Sequence, residues 1–196
     1  MTASGIIKFF EKNIRSGENI FHEIARENSL WMLRRITHTV NENIDFLLRE
    51  SNDRGETCIH IAANGRSEKT TIAMIEMFVR LGADINARNI TGETPLHYAV
   101  CNDNCQLIQW LCEQESIDLN AMNQHLLTPY ELAIIRNSKD AANILKYYYD
   151  LKFAKSGNDK TDGDWPVPVL TCLRANEERS HADKSLLSST CEKEDK

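Results

Sequence analysis

"TGETPLHYAV", residues 91–100, is the stretch on which the fold turns. Its histidine, His97, follows Thr94 by three residues and precedes Cys101 and Cys105 by four and eight. Alone, that spacing admits a metal ligand, a catalytic base or a piece of scaffold. Three further stretches narrow the choice. "GENIFHEIA" (17–25) and "GETCIHIAA" (55–63) share its frame of glycine, polar residue, capping-type residue, two spacers, histidine and a small-residue pair. A fourth, "LLTPYELAI" (126–134), keeps Thr128 and Pro129 but has Leu126 for the glycine and Glu131 for the histidine. With Asn19, Thr57, Thr94 and Thr128 aligned, the spacings are 38, 37 and 34 residues. Self-similarity at such a period is the signature of a repeat architecture.

Each copy leads into a second apolar stretch: "SLWMLRRI" (29–36), "TIAMIEMFVRL" (71–81), "CQLIQWLCEQ" (105–114) and "AANILKYY" (141–148). Two of these end in polar loops, "GADINARN" (82–89) and "SIDLNAMN" (116–123). Thr94 suits an N-cap, and Pro95 suits the first helical position, where no intrahelical N–H bond is lost. Gly55 and Gly92 suit a turn with positive φ. A lone helix pair cannot bury its apolar face, so such units stack.

The chain resembles the ankyrin repeat over residues 17–150. The resemblance implies an all-α solenoid of about four helix-turn-helix repeats with hairpin loops. "IIKFFEKNI" (6–14) then reads as an N-terminal capping helix, giving a cap over 1–16, a repeat domain over 17–150 and a tail over 151–196. The tail holds Gly157, Gly163, Pro166 and Pro168 with charges of both signs, a composition expected to be mostly disordered.

Composition limits the function. A net charge of -6 argues against a global nucleic-acid-binding patch and favours a basic partner. No apolar run approaches the roughly 20 residues that span a bilayer, so a membrane role is not expected. The six cysteines form no CxxC pair, and no secretory signal is evident, which reads as reduced thiols in a cytosolic or nuclear setting.

His22, His60 and His97 hold one slot in successive units. A catalytic residue is normally singular, whereas a repeated one braces the scaffold. At the third helical position an imidazole can bond back to the cap and across to the next loop. Thr57, Thr94, Pro95, Thr128 and Pro129 belong to the same structural set. The i, i+4, i+8 pattern of His97, Cys101 and Cys105 fails as a zinc site, because "NDN" (102–104) turns the chain and four ligands are wanted. Cys105 and Cys112 are expected in apolar core positions instead. No phosphate loop, zinc-protease or nucleophile-elbow motif occurs. No catalytic residue, cofactor or metal is therefore expected, and the chain does not read as an enzyme.

A finer resemblance attaches to "ENIFHEIARENSLWMLRRI" (18–36) and to residues 82–100. These are similar to the viral ankyrins of polydnaviruses, which are inhibitor-of-NF-κB-like. The resemblance implies a protein that grips a host Rel/NF-κB dimer in the host cytoplasm, with the nucleus also open to it, and acts as a monomer when free. It implies no direct contact with nucleic acid. Cellular inhibitors carry an Asp-Ser-Gly-x-x-Ser degron. "ASG" (3–5) and "RSG" (15–17) lack its aspartate and second serine, so a degron-less inhibitor is expected. The alternative is a generic ankyrin adaptor for an unrelated host protein.

Candidate contact residues follow from the repeat geometry. Hairpin tips should present Asp53, Arg54, Arg88, Asn89, Ile90, Gln124 and His125. The concave face of the first helices should present Glu23, Ile61, Tyr98 and Leu132.

Overall fold

The computed structural model describes residues 15–39, 45–65 and 68–154. The expected capping helix falls on residues of which only 15 and 16 are described, and the tail beyond 154 lies outside them. Nine helices run through the described residues: α1 (Ile20–Arg26), α2 (Leu30–Thr39), α3 (Asp45–Arg49), α4 (Cys58–Ala63), α5 (Glu68–Arg80), α6 (Pro95–Cys101), α7 (Cys105–Glu113), α8 (Pro129–Ile135) and α9 (Lys139–Ala154). The boundary expected at residue 150 falls inside α9. That helix continues because Lys152 reaches back to donate to the Gln114 carbonyl at 3.0 Å, pinning its last turn to the preceding loop.

The helices form two layers. The first helices pack in the order α1, α4, α6, α8, and the second helices in the order α2, α5, α7, α9. The repeat sequence dictates this. Asn19, Thr57, Thr94 and Thr128 are each the N-cap of a first helix, with extended backbone. The spacer two residues past each cap is the stacking knob: Phe21, Ile59 and Leu96 are all fully buried. Ala62, Ala63 and Ala99 keep neighbouring first helices close and are also buried. From the second layer, Leu33, Met74, Phe78, Leu107 and Leu111 complete one continuous core. The rings of Phe21 and Phe78 meet edge to face at 6.3 Å.

A sharp turn joins the two helices of a repeat. Asn28, Asp103 and Asn137, each nine residues after its cap, adopt φ of 52°, 52° and 58°. Asn and Asp tolerate this left-handed region better than other non-glycine residues. A second left-handed position stands two residues before each cap. Gly17, Gly55 and Gly92 hold it at φ of 66°, 71° and 72°. Leu126 holds it in the fourth repeat at φ 58° while 66% exposed. A side chain there costs roughly 1–2 kcal/mol, and exposure returns little of it. Leu126→Gly is expected to stabilise the fold by about 0.5–1 kcal/mol after the added chain entropy of glycine is deducted, read as a rise in urea midpoint.

Between repeats, the hairpins are tied by main chain. Asp53 N–H donates to the Ser16 carbonyl at 3.2 Å, Ile90 N–H to Arg54 at 3.1 Å, and Gln124 N–H to Thr91 at 2.7 Å. Asn52, Asn89 and Asn123, each five residues before a cap, shape the hairpins themselves. Each side-chain oxygen accepts the N–H groups two and four residues on, at 2.9–3.1 Å. Asp84 and Asp118 shape the preceding turns by accepting from Asn86 N–H and Asn120 N–H, both at 2.9 Å.

Candidate functional site: the hairpin tips and concave face

The histidines set the spacing of this surface. In the second repeat, Thr57 N–H donates to His60 Nδ1 at 3.1 Å, and the Thr57 hydroxyl lies 3.0 Å from the same nitrogen. That leaves Nε2 to carry the proton and donate to the Glu93 carbonyl of the next hairpin at 3.1 Å. His97 repeats the arrangement with Thr94 at 3.2 and 2.9 Å and with the Leu127 carbonyl at 3.1 Å. His22 accepts from Asn19 N–H at 3.2 Å and reaches the Glu56 carbonyl at 2.9 Å. Each imidazole thus caps its own helix and spans to the next unit. Burial holds His60 and His97 below the usual imidazole range, so both are neutral at pH 7.

That shift carries a pH dependence. The unfolded chain takes up protons near 6.5, whereas the folded imidazoles do so only at lower pH. The stability they contribute is fully present above about 6.5 and is lost as pH falls from there through the folded values. The thermal midpoint should drop on acidification below that point. His60→Gln should flatten part of the drop.

In the fourth repeat, Glu131 fills the slot. Its Oε2 accepts from Thr128 N–H at 2.7 Å and from the Thr128 hydroxyl at 2.9 Å, in the place that Nδ1 of His60 and of His97 takes beside Thr57 and Thr94.

The cysteines lie within this frame. Cys58 and Cys112 are buried, and burial pushes both thiols up to about 12. Cys105, expected in the core, is half-buried. It is the first residue of α7, directly after the Asn104 cap, and so sits at the helix end rather than on the packed face. No cluster of three His, Cys, Asp or Glu with metal-binding geometry occurs among the described residues.

The expected contact residues fall into three groups. Asp53 and Arg54 are exposed at the first tip and join Ile61 in lining a cleft of about 560 Å³ with Arg15, Glu18, Arg26 and Asn52. Arg26 pairs with Glu18 inside it. At the second tip, Ile90 is 71% exposed, and Arg88 crosses to the Met122 carbonyl of the third hairpin. Asn89 Nδ2 donates to the Tyr98 hydroxyl at 3.1 Å. Tyr98 in turn donates to Glu56 at 2.6 Å. Tyr98, expected to be exposed, is therefore half-buried between two hairpins, and its hydroxyl is raised well above the usual phenol range by burial and by Glu56. At the third tip, Gln124 and His125 are exposed with their side chains 3.2 Å apart.

Glu23, Ile61, Tyr98 and Leu132 share the position four residues past each cap. Glu23 is exposed, but Ile61 and Leu132 are partly buried against the core. The close first-helix stacking covers them. Sequence reasoning did not find Glu56 as the acceptor for Tyr98, nor Asn52 and Asn123 as organisers of the hairpins. The only signal for the asparagines was their recurrence five residues before the cap.

The chain has known relatives. The family profile described as ankyrin repeats (3 copies) matches residues 68–155. I-kappa-B like protein N2 of Microplitis demolitor bracovirus (isolate Webb) is 35% identical over 136 residues, covering 68% of this chain and 74% of that protein. The chain belongs to the bracovirus I-kappa-B like family of ankyrin-repeat proteins. I-Kappa-B like protein N1 of the same virus is 38% identical over 109 residues, covering 55% of this chain and 78% of the relative. I-Kappa-B like protein G2 is 33% identical over 130 residues, covering 66% and 77%. In this I-kappa-B like chain no helix among the described residues is long and apolar enough to cross a membrane.

Proposed function

We propose that this protein binds a Rel/NF-κB transcription factor of the host and suppresses its signalling stoichiometrically, as a non-enzymatic inhibitor in the cytoplasm. The observation that carries this reading is membership of the bracovirus I-kappa-B like family, at 35% identity across 74% of a relative. The surface supports it. Asp53, Arg54, Ile90, Gln124, His125 and Glu23 are exposed on the tips and on α1, where a partner can reach several repeats together. The overall charge of -6 favours approach by the basic segments of a transcription factor and acts mainly on association rate. Residues 1–196 contain no Asp-Ser-Gly-x-x-Ser run, so inhibition should persist through signals that destroy a degron-bearing inhibitor.

The test is capture of a purified insect Rel homology domain by the full chain, paired with a κB-site reporter in insect cells. The expected result is a stable complex at micromolar protein and a repressed reporter after immune stimulation. No complex at that concentration, or affinity capture from host cells dominated by a protein without a Rel domain, would overturn the proposal and leave a generic adaptor.

A further inference from the structure

Each second helix turns one side to water, and α2 departs from the others there. Counted from the caps Asn19, Thr94 and Thr128, the fourteenth residues are Leu33, Ile108 and Ala142, and the seventeenth are Ile36, Leu111 and Leu145. All six are buried, so α2, α7 and α9 point the same side at the core. The twelfth residues are Trp31, Gln106 and Asp140, and the fifteenth are Arg34, Gln109 and Asn143, all exposed. At about 100° per residue, Trp31 stands roughly 160° from Leu33 and 140° from Ile36, near the middle of the solvent side. Stacking of repeat on repeat leaves such a position uncovered. Where α7 and α9 carry polar groups, α2 presents the largest exposed apolar side chain of the described residues, at 65% exposure. The scaffold does not need an indole there, since two of its own repeats do without one.

The polar side-chain atoms on this side of α2 are donors. An indole N–H and a guanidinium donate and accept nothing, whereas Gln106, Gln109, Asp140 and Asn143 all carry acceptors. Neither Trp31 nor Arg34 makes a side-chain hydrogen bond, ion pair or ring contact among the described residues. Arg35 is exposed beside them but already holds an interaction, so it adds charge and not an open fork. No Asp or Glu occurs in α2, and Glu27, in the turn before it, is its nearest carboxylate in sequence. In a chain of net charge -6, this face is locally positive.

We propose that Trp31 and Arg34 form a docking surface for an acidic segment of a partner protein, with an apolar residue of that segment against the indole and a carboxylate on Arg34. Donors without acceptors select carboxylates, and guanidinium takes a carboxylate in a two-point fork. Tryptophan and arginine are also the side chains that most often anchor protein interfaces. A second copy related by a twofold axis would bring its own Arg34 and Arg35 against this pair, which repel. An anionic bilayer requires a continuous apolar stripe, which a single indole does not supply. The face belongs to the second-helix layer and is separate from the hairpin tips, so the inference does not depend on the Rel reading.

The test uses the full chain carrying 5-fluorotryptophan, with the probe acetyl-Asp-Leu-Asp-Asp-Leu-Asp-amide and its lysine counterpart. The acidic peptide is expected to move the ¹⁹F resonance of Trp31 ahead of that of Trp110, and the lysine peptide to leave it in place. With a fluorescein-labelled acidic peptide, anisotropy should show a loss of about tenfold in affinity for Trp31→Gln and about threefold for Arg34→Gln. These changes install the residues that α7 carries at Gln106 and Gln109, so the fold is kept. Equal binding of the two peptides overturns the proposal, as does unchanged affinity in Trp31→Gln. Phosphatidylserine vesicles that move the Trp31 resonance when the acidic peptide does not would assign the face to a membrane and overturn it too. A Trp31 resonance that shifts with protein concentration alone, and ceases to in Arg34→Gln, would make a second copy the occupant and also overturn it.

Discussion

His60→Ala is expected to lower stability by about 3 kcal/mol. The side chain is fully buried at the junction of the second and third repeats. Its loss removes the acceptor of the buried Thr57 N–H and the donor to the partly buried Glu93 carbonyl, and leaves a ring-sized cavity beside Tyr98, whose ring packs edge-on at 5.4 Å. Urea unfolding followed by circular dichroism measures the change. Two further substitutions separate bonding from volume. His60→Gln can accept from Thr57 and still donate to Glu93, and should recover part of the loss. His60→Glu can accept from Thr57 but turns an acceptor toward the Glu93 carbonyl, and should be at least as damaging as alanine. A glutamate loss no larger than that of glutamine would show that the span to the next hairpin contributes little.

Gly55→Ala should cost about 3 kcal/mol, through the backbone rather than the core. Gly55 sits at φ 71°, where an L side chain is strained by roughly 1–2 kcal/mol. An added Cβ would also stand 2.6 Å from Ile90 N and 3.1 Å from the Asn89 carbonyl carbon. Both are main-chain atoms of the neighbouring hairpin, so the two hairpins must part and the Ile90 to Arg54 bond must lengthen. Amide exchange gives a local readout: Ile90 should exchange faster in the variant, out of proportion to residues in α1. The same change at Gly92 meets Asn123 Cα at 3.3 Å, a milder approach, and should cost less. Comparable losses at both glycines would mean that dihedral strain, and not the clash, sets the cost.

The contrast between repeats explains how much the sequence revealed. Thr94, Pro95 and His97 are legible because each acts on its own helix, within three residues, by rules that hold for any helix start. Their recurrence in other copies then identifies the stack. Tyr98 was less legible. Its position past the cap predicts a concave-face residue, but its exposure depends on Glu56, 42 residues away, which draws the hydroxyl inward. Asn89 poses the same difficulty, since a polar residue at a loop tip looks alike whether it meets solvent or holds the turn. Glu131 stands out in sequence as the exception to a histidine pattern. Only the geometry shows that one oxygen reproduces the histidine cap while the other makes no hydrogen bond among the described residues.

The bonds that tie hairpin to hairpin have a consequence for how such a protein can change. They run from Asp53, Ile90 and Gln124 through main-chain N–H groups, so their formation does not depend on which side chain each residue carries. Any amino acid except proline can occupy these three positions without breaking the tie. The side chains at these three tips are therefore nearly uncoupled from what keeps the repeats in register. A lineage carrying this scaffold can exchange the residues at these three positions at almost no cost in folding.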